Sequence, residues 1–580
     1  MTLRLDGMAA TLALAWCVVA CAQKIPNAPS PYPATTNHPT PAWFVDEAAK
    51  AGIQVRDVNG DPDVKKYIIE TTGSGVAILD YDQDGWPDIF LVNGTVLPSG
   101  KHSGDAPPTS HLFHNNKDGT FTDVTVKAGL VSTGWGQGAC VGDYDNDGYP
   151  DIYVTGFGKN RLLHNQGNGT FREVAEQAGT AGTGQEWGTG CAFVDYDRDG
   201  KLDLMVANYV HFDAANPPEP GSEADCMWKG TPVMCGPRGL PYTTNILYHN
   251  EGNGTFHDVS VSSGIQKTPG HYCFSVTTLD YNEDGWPDIY VACDSTPAIL
   301  YRNHHDGTFT DVAENVGVAY NEDGREQAGM GSTAGDYDGD GHIDIFKTNF
   351  SDDTSTLYHA NGDGTFTDNT FAAGLGTNLE DLGWGTMFAD VDNDGFPDLL
   401  AVNGHVYPQV DSAHLGATYK EPRFLYWNQG NGKFKDVSKS SGPGLTSPYS
   451  GRGLAIADLW NDGRLEAVVN NLSDLPLLLV NEAKNANHWL GLKLTGTISN
   501  RSAIGSRATI YGTKRAWVEE VRSGSSYNSS SDLRLHIGLG AETKITRIDV
   551  RWPNGESEQF SCDGVDHIVT LVEGKGKPSH

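Results

Sequence analysis

Carboxylates recur in this chain at a spacing that suits a hard cation. Six nine-residue loops follow the form D-x-[DN]-x-D-G-x-x-D. The first carries Asp80, Asp82, Asp84 and Asp88, the second Asp143, Asp145, Asp147 and Asp151, and the third Asp195, Asp197, Asp199 and Asp203. The fourth carries Asp280, Asn282, Asp284 and Asp288, the fifth Asp336, Asp338, Asp340 and Asp344, and the sixth Asp390, Asp392, Asp394 and Asp398. Positions 1, 3, 5 and 9, with Gly at 6, turn several oxygens toward one point, the way protein loops hold calcium. Position 7 adds a main-chain carbonyl, from Trp86, Tyr149, Lys201, Trp286, His342 and Phe396 in turn. The amide oxygen of Asn282 is an equally hard ligand. Position 9 closes the cage where an EF-hand waits until position 12, so no flanking helix is needed. About six Ca2+ ions are expected. A seventh copy, Asp458 to Glu466, has Trp460 at position 3 and Glu at 9, and no calcium is expected there.

No other catalytic pattern stands out. No Gly-x-Ser-x-Gly elbow, zinc-type His spacing or phosphate-cradling glycine loop rises above chance, and His211, His271 and His405 have no partner assignable from sequence. Acidic pairs that would suit glycosidase chemistry are already used as calcium ligands. No catalytic residue is expected, and a lyase acting on polysaccharide is the alternative to a binding protein.

The elements that position these loops also repeat. Phe121-Thr-Asp-Val-Thr-Val-Lys-Ala-Gly-Leu130 recurs from Phe171, Phe256, Phe309, Phe366 and Phe434, and each Phe lies 22 to 27 residues before the next loop. Such regularity marks one supersecondary unit copied. The first unit predicts four strands: Val76 to Leu79, Ile89 to Asn93, Leu112 to Asn115 and Phe121 to Thr125. Four-stranded antiparallel units around an axis make a β-propeller, and seven loops imply seven blades. The seventh unit lacks its fourth strand, which reappears at the other end of the sequence as Phe44-Val-Asp-Glu-Ala-Ala-Lys-Ala-Gly-Ile53. The N-terminal strand is therefore expected to close the ring and leave no open edge. With 70 glycines and little helical periodicity, the 580-residue chain is all-β.

This combination resembles the FG-GAP/VCBS repeat propellers, the group of the integrin α-subunit head, in which short calcium loops link blade strands. The resemblance covers about residues 44 to 482. From His488-Trp-Leu-Gly-Leu-Lys-Leu onward, Ser499 to Ala508, Ser523 to Gly540 and Ile548-Asp-Val-Arg-Trp-Pro-Asn-Gly resemble the ASPIC/UnbV domain. The whole is similar to bacterial relatives of cartilage acidic protein. The expected division is a signal at 1–21, a flexible linker at 22–42, the propeller at 43–483, a small β-sandwich-like ASPIC/UnbV domain at 484–574 and a tail at 575–580. The Ser-rich run Ser523 to Ser531 reads as a solvated turn, with a polar binding loop as the alternative.

Forty Lys and Arg against 74 Asp and Glu give a net charge of −34, which excludes nucleic acid as a partner because phosphate needs a basic surface. The apolar run Met8 to Ala20 is too short to span a bilayer and reads as an export signal. Val18-Val19-Ala20-Cys21 resembles a lipoprotein signal with Cys21 lipidated; cleavage after Ala22, giving a freely secreted protein, is the alternative. No other segment could cross a membrane. Export permits disulfides, and the expected pairs are Cys226 with Cys235 and Cys273 with Cys293. Cys140, Cys191 and Cys562 read as small buried residues.

Loop lengths give a direction. The turn after the second strand is long in units one, three and six, at Gly94 to His111, Tyr209 to Thr244 and Gly404 to Arg423. These insertions should gather on the face opposite the acidic loops, where binding function concentrates. Trp135, Glu186, Trp187, Arg325, Asp381, Trp384 and Arg452 should reach the channel mouth there, with packing between blades as the competing reading for each Trp. The expected partner is an extracellular or envelope protein or glycan, and the expected role is of the adhesion type.

Overall fold

Period-two alternation and acidic hairpin turns produce short antiparallel strands. The computed structural model describes residues 23–25, 30–32, 40–62, 64–97 and 107–579. Among them, seven four-stranded antiparallel sheets occupy residues 44–481. In sheet 1 the order is Val76–Leu79, Asp88–Leu91, His111–Asn115 and Phe121–Asp123, and sheets 2 to 6 repeat it, beginning with Trp135–Gly142, Gly188–Val194, Cys273–Leu279, Gly329–Gly335 and Gly383–Ala389. Sheet 7 contains Gly451–Ala457, Glu466–Asn471 and Leu477–Asn481. Its fourth strand is Phe44–Asp46, paired antiparallel to Leu477–Asn481 through Phe44 opposite Asn481. First strands of successive sheets touch in order, and the first strand of sheet 7 touches that of sheet 1.

Glycine permits that close approach. A Cβ at Gly190 would overlap the Phe274 carbonyl of the next sheet, and one at Gly331 the Trp384 carbonyl. Side chains between neighbouring sheets form separate apolar clusters, such as Ala77, Phe90, Leu112, Val141, Ile152 and Phe171 between sheets 1 and 2.

The C-terminal domain has two sheets. One joins His488–Thr495, Leu535–Gly540 and His567–Val572, with His488–Thr495 and His567–Val572 parallel. The other orders Ala516–Glu520, Arg507–Tyr511, Arg547–Arg551, Ser557–Phe560 and Lys577–Pro578. Leu490, Leu492, Ile510, Ile537, Ile548 and Val569 are buried in a core that both supply.

Two expectations change. Within 22–42, expected as a flexible linker, Gln23–Ile25 pairs with the edge strand His567–Val572. Tyr32 is buried there too, its ring 4.8 Å from that of Trp460 and its hydroxyl donating to the Gly119 carbonyl at 2.8 Å. The segment Ser523 to Ser531 is neither a solvated turn nor a binding loop: it enters the channel among the first strands. There Ile78 donates to the Ser530 carbonyl, Ala139 to Asn528, Ser332 to Ser526, Thr386 to the Ser526 hydroxyl and Ile456 to the Ser531 hydroxyl. Gly524 lies against Cys191 and Val276, so all seven first strands meet the segment. First strands are sheet edges, whose unpaired amides and carbonyls need partners; a serine-rich plug supplies them.

Cys21 and the signal lie outside the described residues.

Candidate functional site

Each acidic loop is held by the same short network. Position 4 takes a left-handed backbone, as at Gln83 (φ 59°) and Asn146 (φ 58°), which folds the turn back so that the position-6 amide donates to the position-1 carboxylate, for example Gly85 to Asp80 at 3.1 Å and Gly395 to Asp390 at 2.7 Å. The position-7 amide donates to position 5, as Trp86 does to Asp84 at 3.0 Å. The position-9 carboxylate is fully buried in every copy and accepts two amides: Asp88 binds those of Tyr81 at 3.2 Å and Asn115 at 2.8 Å. These bonds leave oxygens over. Asp80 Oδ1, Asp82 Oδ1, Asp195 Oδ1 and Asp280 Oδ1 are buried without a partner. Orphaned carboxylate oxygens in an oxygen-rich turn fit a hard cation, and Asp80, Asp82 and Asp84 bring ligand atoms within 4.8 Å of one another.

Electrostatics agree. Burial pushes Asp88, Asp143, Asp151, Asp203 and Asp344 up to about 7 and Asp195 up to about 8, neighbouring loop carboxylates adding to it. Several negative charges in one turn want a cation or protons.

Four residues beside the loops were missed from sequence. His114, His164, His249 and His359 place Nδ1 3.1 to 3.2 Å from the position-9 carboxylate and 3.4 to 3.5 Å from position 3. The signal was the recurring end of the third strand, Leu-Phe-His-Asn115 and its copies. The Asn of this motif ties loops in sequence: Asn165 Nδ2 donates to the Tyr81 carbonyl, Asn250 to Tyr144, Asn303 to Tyr196, and Asn115 to Leu459 of the seventh loop.

The fourth loop differs. Arg551 of the C-terminal domain donates to Asp280 at 2.5 Å, and His305 and the Asn282 amide both engage Asp284. In the seventh, Trp460 fills position 3 fully buried, and Arg464 pairs with Asp462 at 2.7 Å.

The C-terminal domain lies on this face. Arg501 donates its amide to Asn146, Arg507 pairs with Glu283 at 3.0 Å, Arg515 donates to the Gly395 carbonyl and Arg534 to Asn461. His536 Nε2 is 2.7 Å from Asn393 Oδ1. The domain therefore contacts the second, fourth, sixth and seventh loops, while Asp145, Asp147, Asp199, Asp284 and Asp340 stay exposed.

The opposite face holds a cavity of about 400 Å3. Insertion Tyr209 to Thr244 supplies Tyr209, Trp228 and Arg238, insertion Gly404 to Arg423 supplies Val406 and Tyr407, and sheets 4 to 6 supply Phe274, Asp294, Met330, Phe350, Asp353 and Trp384. Residues 98–106 of the first insertion lie outside the described residues. Plug residue Tyr527 supports the floor, its ring 4.7 Å from Trp384 and 5.4 Å from Phe274, its hydroxyl donating to the Thr72 carbonyl at 3.0 Å.

Of the seven residues expected at the channel mouth, Trp384 lines this cavity. Trp187 is fully buried against Tyr209 and Phe212, Trp135 donates to Asn59, and Glu186 accepts from its own loop at Thr183. Arg452 is fully buried over the Trp384 ring, donating to the Thr71 and Gly451 carbonyls. Arg325 is exposed and Asp381 half-buried, both outside the cavity lining. His405, wedged between Trp228 and Phe350, accepts from the Tyr407 amide. Asp294 was missed; nothing in its sequence neighbourhood marks it.

Cys226 and Cys235 form a disulfide in the second insertion, and Cys273 and Cys293 another across sheet 4. The expectation of isolated buried thiols at Cys140 and Cys191 is corrected: they are bonded to each other, Cα atoms 5.7 Å apart. The first strands of sheets 2 and 3 lie side by side and align residues 51 apart in sequence. Cys562 is buried and takes part in none of these three disulfides.

The comparisons with known proteins converge on this architecture. The FG-GAP-like repeat model matches residues 80–154, 143–206, 237–291, 280–347, 336–401 and 415–469, and the ASPIC and UnbV model matches 496–578. Human cartilage acidic protein 1 is 26% identical over 377 residues, 64% of this chain and 51% of that protein. The Xenopus tropicalis protein is 23% identical over 506 residues, 83% and 70% respectively. The chain spans about half the length of the human and mouse relatives it matches. Among solved structures, an Agrocybe aegerita lectin recognising terminal N-acetylglucosamine aligns with TM-score 0.37 and 17% identity, over 69% of this chain and 86% of that one. Rhamnogalacturonan lyase YesW aligns with TM-score 0.28 and 13% identity, over 74% and 92%. Scores this low say nothing of ligands. FG-GAP-like repeats cover more than half of the sequence and an ASPIC and UnbV domain follows them, so the chain belongs to the FG-GAP-like repeat family of that architecture.

Proposed function

We propose that this chain is an exported, calcium-braced propeller of seven blades, closed by Phe44–Asp46, that serves as an extracellular or cell-surface binding module for a protein or glycan. The cyclic contacts of the first strands support the ring. Oxygen-rich turns with orphaned carboxylates support calcium. Asp80, Asp82, Asp84 and Asp88, and their counterparts in the other loops, would hold it; bound calcium supplies positive charge and ligand-directed rigidity. Three disulfides among the described residues support export, and no helix among those residues is long and apolar enough to cross a membrane. The C-terminal domain plugs the channel and contacts several of the loops.

The observation that carries the binding role is the aromatic cavity on the open face. A pocket of this size, walled by rings with a few buried polar groups, is the usual form of a ligand site. A lyase for acidic polysaccharides draws no support from it, since among the described residues Arg238 is its single cation beside four carboxylates.

Probing arrays of extracellular glycans and envelope-derived peptides with the wild type and Trp228→Ala tests this. Trp228 is partly exposed at the cavity and rests on His405 and Tyr407. Signals lost in the variant are expected; identical profiles would remove the cavity from the account.

A further inference from the structure

The cavity has a charge imbalance that its own residues do not meet. Asp225, Asp294, Glu326 and Asp353 line it against Arg238, and Arg238 already faces Glu326 at 4.0 Å. Asp353 accepts from the Gln327 amide at 3.1 Å. Asp294 is the informative group. It is 5% exposed and accepts from the Tyr209 hydroxyl at 2.6 Å and the Ser295 hydroxyl at 2.9 Å. Among the described residues no lysine or arginine nitrogen lies within 4.0 Å of it, and Arg238, which faces Glu326, acts on it only from farther away. A buried carboxylate hydrogen-bonded only by neutral hydroxyls is costly to ionise, and burial pushes Asp294 up to about 6.

The rings around it form two groups. Tyr209 stacks on Phe274 at 4.1 Å, with Trp384 6.1 Å from Phe274; Trp228 and Phe350 lie 5.7 and 6.1 Å from Tyr407. Aromatic faces attract cations through their quadrupole. Trp384 already carries Arg452 over its ring at 4.0 Å and Trp228 carries Lys229 at 4.4 Å, so the rings of this recess, like its carboxylates, take positive charge.

We propose that the cavity receives an organic cation carried by the ligand: a protonated amine, guanidinium or quaternary ammonium seated among the rings with Asp294 as its counter-charge. This rests on the reading of the cavity as the binding site. A lysine or arginine side chain of a peptide and a free small amine present the same chemistry.

The test is calorimetric titration of the full-length, calcium-loaded protein with the tripeptide Gly-Lys-Gly, choline and putrescine, beside the neutral probes Gly-norleucine-Gly and cellobiose. Cationic probes are expected to bind at least about tenfold tighter than neutral ones, and Asp294→Asn to remove most of that margin. Asp225→Asn, at the rim, gives a smaller loss and serves if the buried substitution impairs folding. Preference for Gly-Lys-Gly over choline and putrescine identifies a peptide source, and the reverse a small amine. Neutral probes binding as tightly as cations, or affinity unchanged in both Asp variants, overturns the proposal while leaving the binding site in place. If no probe binds and Trp228→Ala leaves every array signal intact, the binding-site reading falls as well.

Discussion

The two faces of the disc are built on opposite rules. On one, the same nine-residue pattern returns with the same bonds, Gly85 to Asp80 in the first copy and Gly395 to Asp390 in the sixth, and a second domain contacts several of the copies. On the other, insertions of different length, a disulfide at Cys226–Cys235 and rings from several sheets make a cavity with no repeat. Repetition serves bracing, because every copy has one task. Departure from the repeat is where the proposed ligand would be met. The plug joins the two, reaching from the covered face through the channel to support Trp384 and Phe274 beneath the cavity.

That division can be broken experimentally. Tyr527→Ala should cost about 3–5 kcal/mol in denaturant unfolding, the range for deleting a large buried ring, and should weaken ligand binding as well, because the cavity floor loses its support. A loss of stability with binding intact would separate the plug from the cavity. Replacing Cys140 and Cys191 together by Ser should cost about 2–4 kcal/mol, read as a lower denaturation midpoint without effect on the open face.

A further test concerns pH. In calcium-free protein, Asp88, Asp143, Asp151, Asp203 and Asp344 are raised to about 7 and His249 to about 9. The folded chain therefore binds more protons than the unfolded one across this range, and its stability should fall as pH rises from about 4 to 8. Calcium-loaded protein should show the reverse, losing stability on acidification as its ligands protonate. Thermal melts across pH, with and without chelator, read both slopes; parallel slopes would contradict the assignment of these carboxylates as ligands.

Much of the braced face was legible because its signal is local. Asp80 to Asp88 carries its turn, its cluster of carboxylates and its strand boundary within nine residues, and Phe44 to Ile53 matches the repeat closely enough to pair as a fourth strand. The open face was legible only as a direction, from the lengths of the turns. Its chemistry is assembled from residues such as Tyr209, Asp294 and Trp384, which meet only after several sheets pack together. Cys140 and Cys191 were hidden for the same reason, their contact depending on two neighbouring sheets. Ser523 to Ser531 was misread because a serine-rich run suits water and sheet edges equally well; the channel it fills is made by other parts of the chain. Arg507, Arg515 and Arg534 gave no sign of the carbonyls and acids they meet.

Hydrogen–deuterium exchange of the full chain, with calcium and after its removal by chelator, tests the central claim most directly. Removal of calcium should raise exchange in the acidic hairpins, in Ser523 to Ser531 and along the arginine contacts of the C-terminal domain, and leave the cavity insertions 209–244 and 404–423 little changed. Exchange rising first in those insertions, with the hairpins and plug still protected, would contradict the account.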